Sequence, residues 1–358
     1  MSPVHASAPT RIDLAGGTLD IWPLSVLVPG AVTVNLAVEL RAHASVERRS
    51  DDRVEVISTD RKARAVRRLP LRPSHCTGPL SLLLRLCAAF APASGLTLRT
   101  RAEAPAGAGM GGSSTLAMAV GAALARFTRT PLRGDGLLRR VMNLEAVELG
   151  VPTGNQDYLA ALHGGLTAWH HEADGTRRER LPLPPALGRR LVLAYTGQPR
   201  HSGFSNWEMF RRSIEGETKT LQRMAEIARI ARAMRDALLA SDLDEAGRLL
   251  GEEGRLRYRL APSVGTPLLL AADRAARRAG ALGVKVCGAG GGGCLVAFAA
   301  EGRTEAVARA LAAAGARVLE APPAARGLRV TASGPGAESS GRRARARSSR
   351  SPRRSSSR

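Results

Sequence analysis

The sequence predicts an α+β fold in two packed domains, and three observations carry that prediction. Strand-like and helix-like runs follow one another without the regular strand–helix–strand rhythm of a doubly wound sheet. The chain has 358 residues, enough for two domains of ordinary size. Apolar residues make up 44% of it and aromatic residues only 3%, so the core has to be built from Leu, Val and Ala.

The first domain is expected over residues 1–190. Residues 32–47 (VTVNLAVELRAHASVE) are Val-rich, alternate in part, and read as a strand. Residues 53–59 (RVEVIST) form a second short strand, and 96–105 (LTLRTRAEAP) alternate until Pro105 stops them. Residues 113–127 predict a buried, Ala-rich helix whose opening Ser and Thr can accept its free N–H groups. A second helix over 137–150 ends at Gly150, and a short one after the Pro152–Gly154 turn closes at Gly164–Gly165.

The second domain is expected over 191–333. Residues 191–197 read as a short apolar strand, and 206–258 as mostly long helix with little Pro to interrupt it. Residues 284–300 read as strand, glycine loop, strand; 305–315 as helix; and 327–333 as a closing strand. Residues 334–358 have no apolar period and predict a disordered Arg/Ser-rich tail.

Four segments hold groups suited to chemistry. The first is Pro105-Ala-Gly-Ala-Gly-Met-Gly-Gly-Ser-Ser-Thr115, between a strand and a helix. Gly107, Gly109, Gly111 and Gly112 let backbone approach an anion, and the helix start aims free N–H groups and a positive dipole end at the same place. Ser113 and Ser114 add hydroxyls for phosphate oxygens or a metal ion. The bland alternative is a glycine turn capped by serine. The chain has no GxxxxGK[ST], and no acid-ended strand follows as a dinucleotide fingerprint requires, so a nucleotide site here has another design.

The second segment is Cys287-Gly-Ala-Gly-Gly-Gly-Gly-Cys294, with five glycines in six positions. Such backbone freedom is entropically expensive and implies a close approach, either to a ligand or to packed chain. The third holds Asp157 in Thr153-Gly-Asn-Gln-Asp-Tyr158, a carboxylate able to take a proton from a hydroxyl or to cap a helix. The fourth runs from Ala8 to Asp20 (APTRIDLAGGTLD). In it Arg11 is a cation able to offset phosphoryl charge and Asp20 an acceptor for sugar hydroxyls; the alternative is a strand and turn with surface charges. A polar loop over 196–207, with Arg200, His201, Ser202 and Asn206, follows a strand end, a common place for ligand contacts.

In this order and spacing the four segments resemble the motifs of the GHMP kinase superfamily (galactokinase, homoserine kinase, mevalonate kinase, phosphomevalonate kinase). The resemblance spans nearly all of residues 7–332. It implies a mixed-sheet N-terminal domain and a ferredoxin-like C-terminal domain, with ATP and Mg²⁺ in the cleft between them. It implies that Pro105, Gly107, Ala108, Gly109, Met110, Gly111, Gly112, Ser113, Ser114 and Thr115 wrap the phosphates. Ser113 and Glu145 match the metal-binding positions, Asp157 the catalytic base and Arg11 its neighbouring cation. Gly16, Gly17, Asp20, His201, Gly290 and Gly291 fall on the substrate side. The implied chemistry is in-line attack of a substrate hydroxyl on the γ-phosphorus, carried by positioning and charge neutralisation. Two departures matter. GMGGSS puts Gly112 where the family usually has its first serine, so Ser113 and Ser114 both remain candidates for the metal. AGGTLD is closer to the AGGGTD of bacterial heptose 7-phosphate kinases and fucokinase-like relatives than to the GEHTD of galactokinases, which implies a sugar 1-kinase.

The formal charge is +22, almost all of it Arg, because Lys occurs only at 62, 219 and 285. Residues 341–358 alone hold eight Arg and no acid. Nucleic-acid readers interleave basic clusters with aromatics, which this chain does not, so no nucleic-acid partner is expected beyond nonspecific contacts of the tail. Cys76, Cys87, Cys287 and Cys294 lack zinc spacing and are expected as reduced thiols. The N-terminus lacks a signal-peptide pattern and no stretch is apolar enough to span a membrane, so a cytoplasmic protein with a small-molecule partner is expected. Its oligomeric state is left open. A kinase fold that has lost catalysis and senses sugar is the competing reading; the joint presence of Arg11, Ser113, Glu145 and Asp157 speaks against it.

Overall fold

The computed structural model describes residues 2–198, 204–260, 264–288 and 290–332, with backbone alone at 204–206. Its elements begin with β1 (Val4–Ala15), α1 (Leu24–Leu27), β2 (Val32–Arg48), β3 (Arg53–Ser58), β4 (Ala63–Arg68), α2 (Ser81–Ala89) and β5 (Leu96–Ala102). Next come α3 (Gly112–Phe127), α4 (Gly134–Leu149), α5 (Gln156–His163), β6 (Leu166–Glu172), β7 (Gly175–Arg180), α6 (Leu187–Arg190) and β8 (Leu191–Tyr195). The second half holds α7 (Phe204–Ile214), α8 (Thr218–Leu239), α9 (Leu243–Leu260), α10 (Pro267–Arg278), β9 (Ala281–Val286), β10 (Cys294–Ala299), α11 (Thr304–Ala313), β11 (Arg317–Leu319) and β12 (Arg329–Ala332).

The fold is α+β, as expected. One sheet runs β12-β1-β2-β5-β3-β4 and is mixed, because β3 pairs parallel to β5. β2 is long enough to share one edge between two strands: β5 takes residues 42–48 and β6 takes 32–36, with β7 beyond β6. The second sheet, β11-β8-β10-β9, is antiparallel throughout.

Three apolar layers hold these pieces together. Ala6, Ala44, Val56 and Leu98 of the large sheet meet Leu84, Ala119 and Val120 of α2 and α3 in one cluster. Ile12, Val34 and Leu36 meet Met224, Ile227 and Ala231 of α8 and Val296 and Phe298 of β10 in a second. The outer face of the small sheet closes against α10 and α11 in a third.

Two expectations about organisation change. The long helix read over 206–258 is three helices. Gly216 and Ser241 adopt left-handed backbone (φ 77° and 58°), which ends α7 and α8 without any proline, and Asp242 then accepts from Glu245 N at the start of α9. The closing strand also does not stay with the second half. β12 pairs antiparallel with β1, Val4 opposite Ala332, so the chain crosses the boundary expected near residue 190 a second time and seals the edge of the first sheet.

Candidate active site

A β-bulge prepares the site. β1 and β2 slip register between Pro9 and Thr10: Pro9 pairs with Arg41 but Thr10 with Val38, so β2 carries two extra residues, Glu39 and Leu40, at that point. Before it, Val4, Ala6 and Ala8 pack toward α2–α5; after it, Ile12 and Leu14 pack toward α8. Arg11 and Asp13, just past the slip, line a cleft of about 510 Å³.

The glycine-rich loop forms the cleft's wall. Gly107, Gly109 and Gly111 all hold positive φ (70°, 81° and 72°), so side chains would be strained there. Gly111 is the residue preceding α3, whose first-turn N–H groups open into the cleft. Pro105, Gly107, Ala108, Gly109, Gly111, Gly112, Ser113 and Ser114 line the cleft as expected. Met110 and Thr115 do not. Met110 is fully buried in the core, and Thr115 turns its hydroxyl to Pro9 O at 3.5 Å, because they fall on the side of the loop and helix that packs on β1.

Asp157 lies in the first turn of α5 but does not cap it. The cap comes from Asp20, 136 residues away, which accepts from Gln156 N at 3.0 Å and from Gln156 Nε2 at 3.2 Å. Gln156 in turn accepts from Asn35, and Asn35 from Trp169 Nε1, so a buried amide chain ties α5 to β2 and β6. Gly154 has to be glycine because a Cβ there would collide with the Asp20 carboxylate. Burial pushes the Asp20 carboxyl up to about 6, even with the Gln156 N–H holding its ionised form.

Asp157 is freed to face Arg11. The two form an ion pair, Arg11 buried and Asp157 partly open to the cleft. Arg11 also donates to Gly109 O at 2.9 Å. Burial would lower the Arg11 pKa, but Asp157, Asp13 and Asp20 together outweigh it and its net direction is up, so the guanidinium stays charged. A Cβ on Gly111 would lie 2.7 Å from the Asp157 carboxyl carbon, which places the carboxylate directly against the phosphate-type loop.

On the other side of that loop, Glu145 is 2% exposed and accepts from Tyr158 Oη at 2.5 Å. Burial raises its pKa, opposed by hydrogen bonds from Ser113, Tyr158 and Ser114. No Arg or Lys pairs with it among the described residues. A buried carboxylate without a cation is costly, and an all-oxygen pair of carboxylate and hydroxyl suits a hard divalent cation that takes its other ligands from phosphate and water. The residues therefore fit Mg²⁺. Ser113 is exposed to the cleft, whereas Ser114 is buried and also hydrogen-bonded to Tyr158. Of the two hydroxyls, Ser113 is the one open to a ligand.

The remaining expected positions divide. Gly17 and Asp20 line the cleft. Gly16 instead donates its N–H to Glu253 at 2.8 Å and packs on Val32 O. Gly290 and Gly291 pack against Val264, outside the cleft lining, where Gly288 stands in their place. The close approach that the second glycine segment implied is to chain rather than ligand: a Cβ on Gly293 would sit 2.7 Å from Gly107 O, and Cys294 N donates to Ala108 O at 2.8 Å. His201, with Arg200 and Ser202, lies outside the described residues, as does the side chain of Asn206.

Sequence reasoning missed a buried ionic cluster beneath the first segment. Lys285 of β9 lies 3.0 Å from Asp13 and 2.8 Å from Glu253, and Arg257 donates to Glu253 at 2.8 Å and to Gly17 O at 2.5 Å. Burial pushes Asp13 up, but Lys285, Arg257 and Arg11 pull it below its ordinary value. One signal was present: Lys285 is one of three lysines in an Arg-rich chain and stands alone in an apolar strand.

Comparison with known proteins follows the same outline. The GHMP kinases N terminal domain family matches residues 79–165 and the GHMP kinases C terminal family matches 234–317. The chain is 26% identical over 319 residues to D-glycero-alpha-D-manno-heptose 7-phosphate kinase of Campylobacter jejuni, covering 83% of this chain and 90% of that one. It is 31% identical over 245 residues to mevalonate kinase of Thermococcus onnurineus, covering 66% and 69%. Among solved structures, a D-glycero-D-manno-heptose 1-phosphate kinase from Bacteriodes thetaiotaomicron superposes with a TM-score of 0.73 at 25% identity, over 92% of this chain and 98% of that one.

Proposed function

Because this chain belongs to the GHMP kinase family, we propose that it transfers the γ-phosphate of ATP to a hydroxyl of a sugar or sugar phosphate, with the anomeric hydroxyl as acceptor. The observation that carries this reading is the Asp157–Arg11 pair lying against Gly111, where the glycine loop meets the N-terminus of α3. A hydroxyl held by Asp157 faces whatever phosphate the loop holds.

Each residue then has a task. The backbone of Gly107–Gly112 and the first turn of α3 hold phosphate oxygens through N–H groups. Asp157 accepts the hydrogen bond of the acceptor hydroxyl and takes its proton as the new P–O bond forms and the bond from the γ-phosphorus to the bridging oxygen breaks, with ADP leaving. Arg11, fixed by Gly109 O, orients the Asp157 carboxylate through their ion pair and offsets charge on the transferring group. Ser113 and Glu145 are the residues that would hold Mg²⁺, which when bound supplies charge neutralisation at the phosphates. A cytoplasmic setting, where ATP is available, belongs to the same reading.

The sugar assignment is supported by the heptose 7-phosphate kinase match over most of both chains, and by the AGGTLD segment. A mevalonate-type alcohol is the second reading, favoured by the higher identity over a shorter span. The test is to incubate the protein with Mg·ATP and a panel of aldoses, sugar phosphates and mevalonate, following ADP. Transfer to an aldose or its phosphate is expected; ADP at background with every acceptor would remove the kinase reading. Asp157→Asn should lower transfer by a factor on the order of 10²–10⁴ while ATP still binds by calorimetry. Full activity in that variant would overturn the role given to Asp157.

A further inference from the structure

Two aromatic rings in the cleft have no role in the chemistry above. Trp207 and Phe210 of α7 both line it, stacked with centroids 5.4 Å apart and planes 20° from parallel. Trp207 is 42% exposed, whereas Trp169 is 1% exposed in the core and Trp22, 74% exposed, lies outside the cleft lining. Large rings are scarce here, with three Trp, three Tyr and five Phe in 358 residues. Packing does not explain why one of them is held open on a cleft wall. The helix beneath it is anchored: Met209 is buried in the central core and α7 packs on α8.

The cleft has a second apolar wall, made by Leu80, Leu82 and Leu83 at α2 beside Ala104 and Pro105, where the chain enters the glycine loop. α7 packs on α1, the short helix that directly follows Asp20 and Ile21. Gly17, Thr18, Asp20 and Ile21 line the cleft on that side, with the Arg257 guanidinium donating to Gly17 O. The cleft thus has both an aliphatic lining and a flat aromatic face, and carboxylates of Asp20 and Asp157 line it as well.

We propose that Trp207, backed by Phe210, is the platform on which the ring of a cyclic sugar acceptor stacks. This rests on the kinase reading and narrows its substrate class. A pyranose or furanose presents C–H groups on its faces and hydroxyls around its edge. An aromatic face takes the C–H side through dispersion and the attraction of C–H hydrogens to the π-cloud. The edge hydroxyls then point to groups such as Asp20 and Asp157. An acyclic hydroxy acid has no flat apolar face to offer, so this wall selects for rings.

The experiment compares full-length wild type, W207A and W207F with whichever aldose or aldose phosphate the panel identifies. Trp207 is substantially exposed, so neither substitution removes core packing. W207A should raise the KM for the acceptor on the order of tenfold, leave the KM for ATP and kcat unchanged, and be largely rescued in W207F. An unchanged acceptor KM overturns the proposal, and so does a rise confined to the KM for ATP, which would place the nucleotide base on this wall. If wild type phosphorylates no acceptor, the kinase reading fails on its own, and the platform is judged by tryptophan fluorescence in W22F titrated with D-mannose and mannose 6-phosphate. A change in emission absent from W22F/W207F supports stacking; no change overturns it.

Discussion

At the scale of single residues, Asp20 has the clearest physical consequence. Its carboxylate caps α5 from a distant segment, and burial raises its pKa from 3.8 to about 6. A carboxyl raised on folding contributes most to stability below its unfolded pKa, and that contribution is lost as pH rises through the folded value. The displacement corresponds to about 3 kcal/mol. Asp20→Asn keeps an oxygen for Gln156 N and cannot ionise. Urea denaturation should therefore show the variant gaining on wild type by about 2–2.5 kcal/mol between pH 4 and pH 7. A difference that stays flat across that range would mean Asp20 is not buried as described. Asp157 was legible in the sequence only as a choice between base and cap. The choice turned on which carboxylate reaches Gln156 N, and that depends on a contact 136 residues apart.

At the scale of elements, the two glycine loops form one structure. Gly293 sits at φ 82° with its missing side chain aimed at the backbone of Gly107 and Ala108. Gly293→Ala has to move the phosphate-type loop, so ATP affinity measured by calorimetry should fall, and stability should fall by about 1–3 kcal/mol. Gly112 is the internal control. It has no neighbour within 4 Å of a Cβ and its φ is not positive, so Gly112→Ala should leave stability unchanged or raise it by about 0.5 kcal/mol in the same denaturation assay. Both loops, and elements such as β2, β3, β5, α3 and α4, were readable from glycine content and periodicity, whereas β4, β6, β7, α2 and α10 were not read. The partition of 206–258 into three helices was not, because apolar spacing continues across the breaks. The local signals were Gly216 and the Ser241-Asp242 start of α9, and they are weak beside a long helical pattern.

At the scale of the whole molecule, the buried cluster of Asp13, Glu253, Arg257 and Lys285 bolts the first segment to α9 and β9. Lys285 and Glu253 are both fully buried. Removing one partner leaves a charge uncompensated, so Lys285→Met should destabilise by about 3–5 kcal/mol in urea unfolding. Removing both ends of the pair, Lys285→Met with Glu253→Gln, should cost less than the two single changes added together. Strict additivity would show that the ion pair is not coupled. Activity should fall in the single variant as well, because Glu253 holds Gly16 N and Arg257 holds Gly17 O at the edge of the cleft.

The sequence by itself determined the α+β class and the glycine loop before α3, and its resemblance to the GHMP kinases marked Arg11, Glu145 and Asp157, with Ser113 or Ser114, as the groups expected there. Those are properties of short windows: periodicity of two or 3.6, glycines between strand and helix, and charged residues at motif positions. The tertiary structure alone decided that Ser113 rather than Ser114 opens to the cleft, that Asp20 holds α5, that the second glycine loop supports the first, and that β12 returns to β1. Each of these depends on distant parts of the chain, through burial that shifts a charge or through backbones approaching where no Cβ can fit. No local pattern encodes such contacts, because the partner that decides them lies elsewhere in the chain.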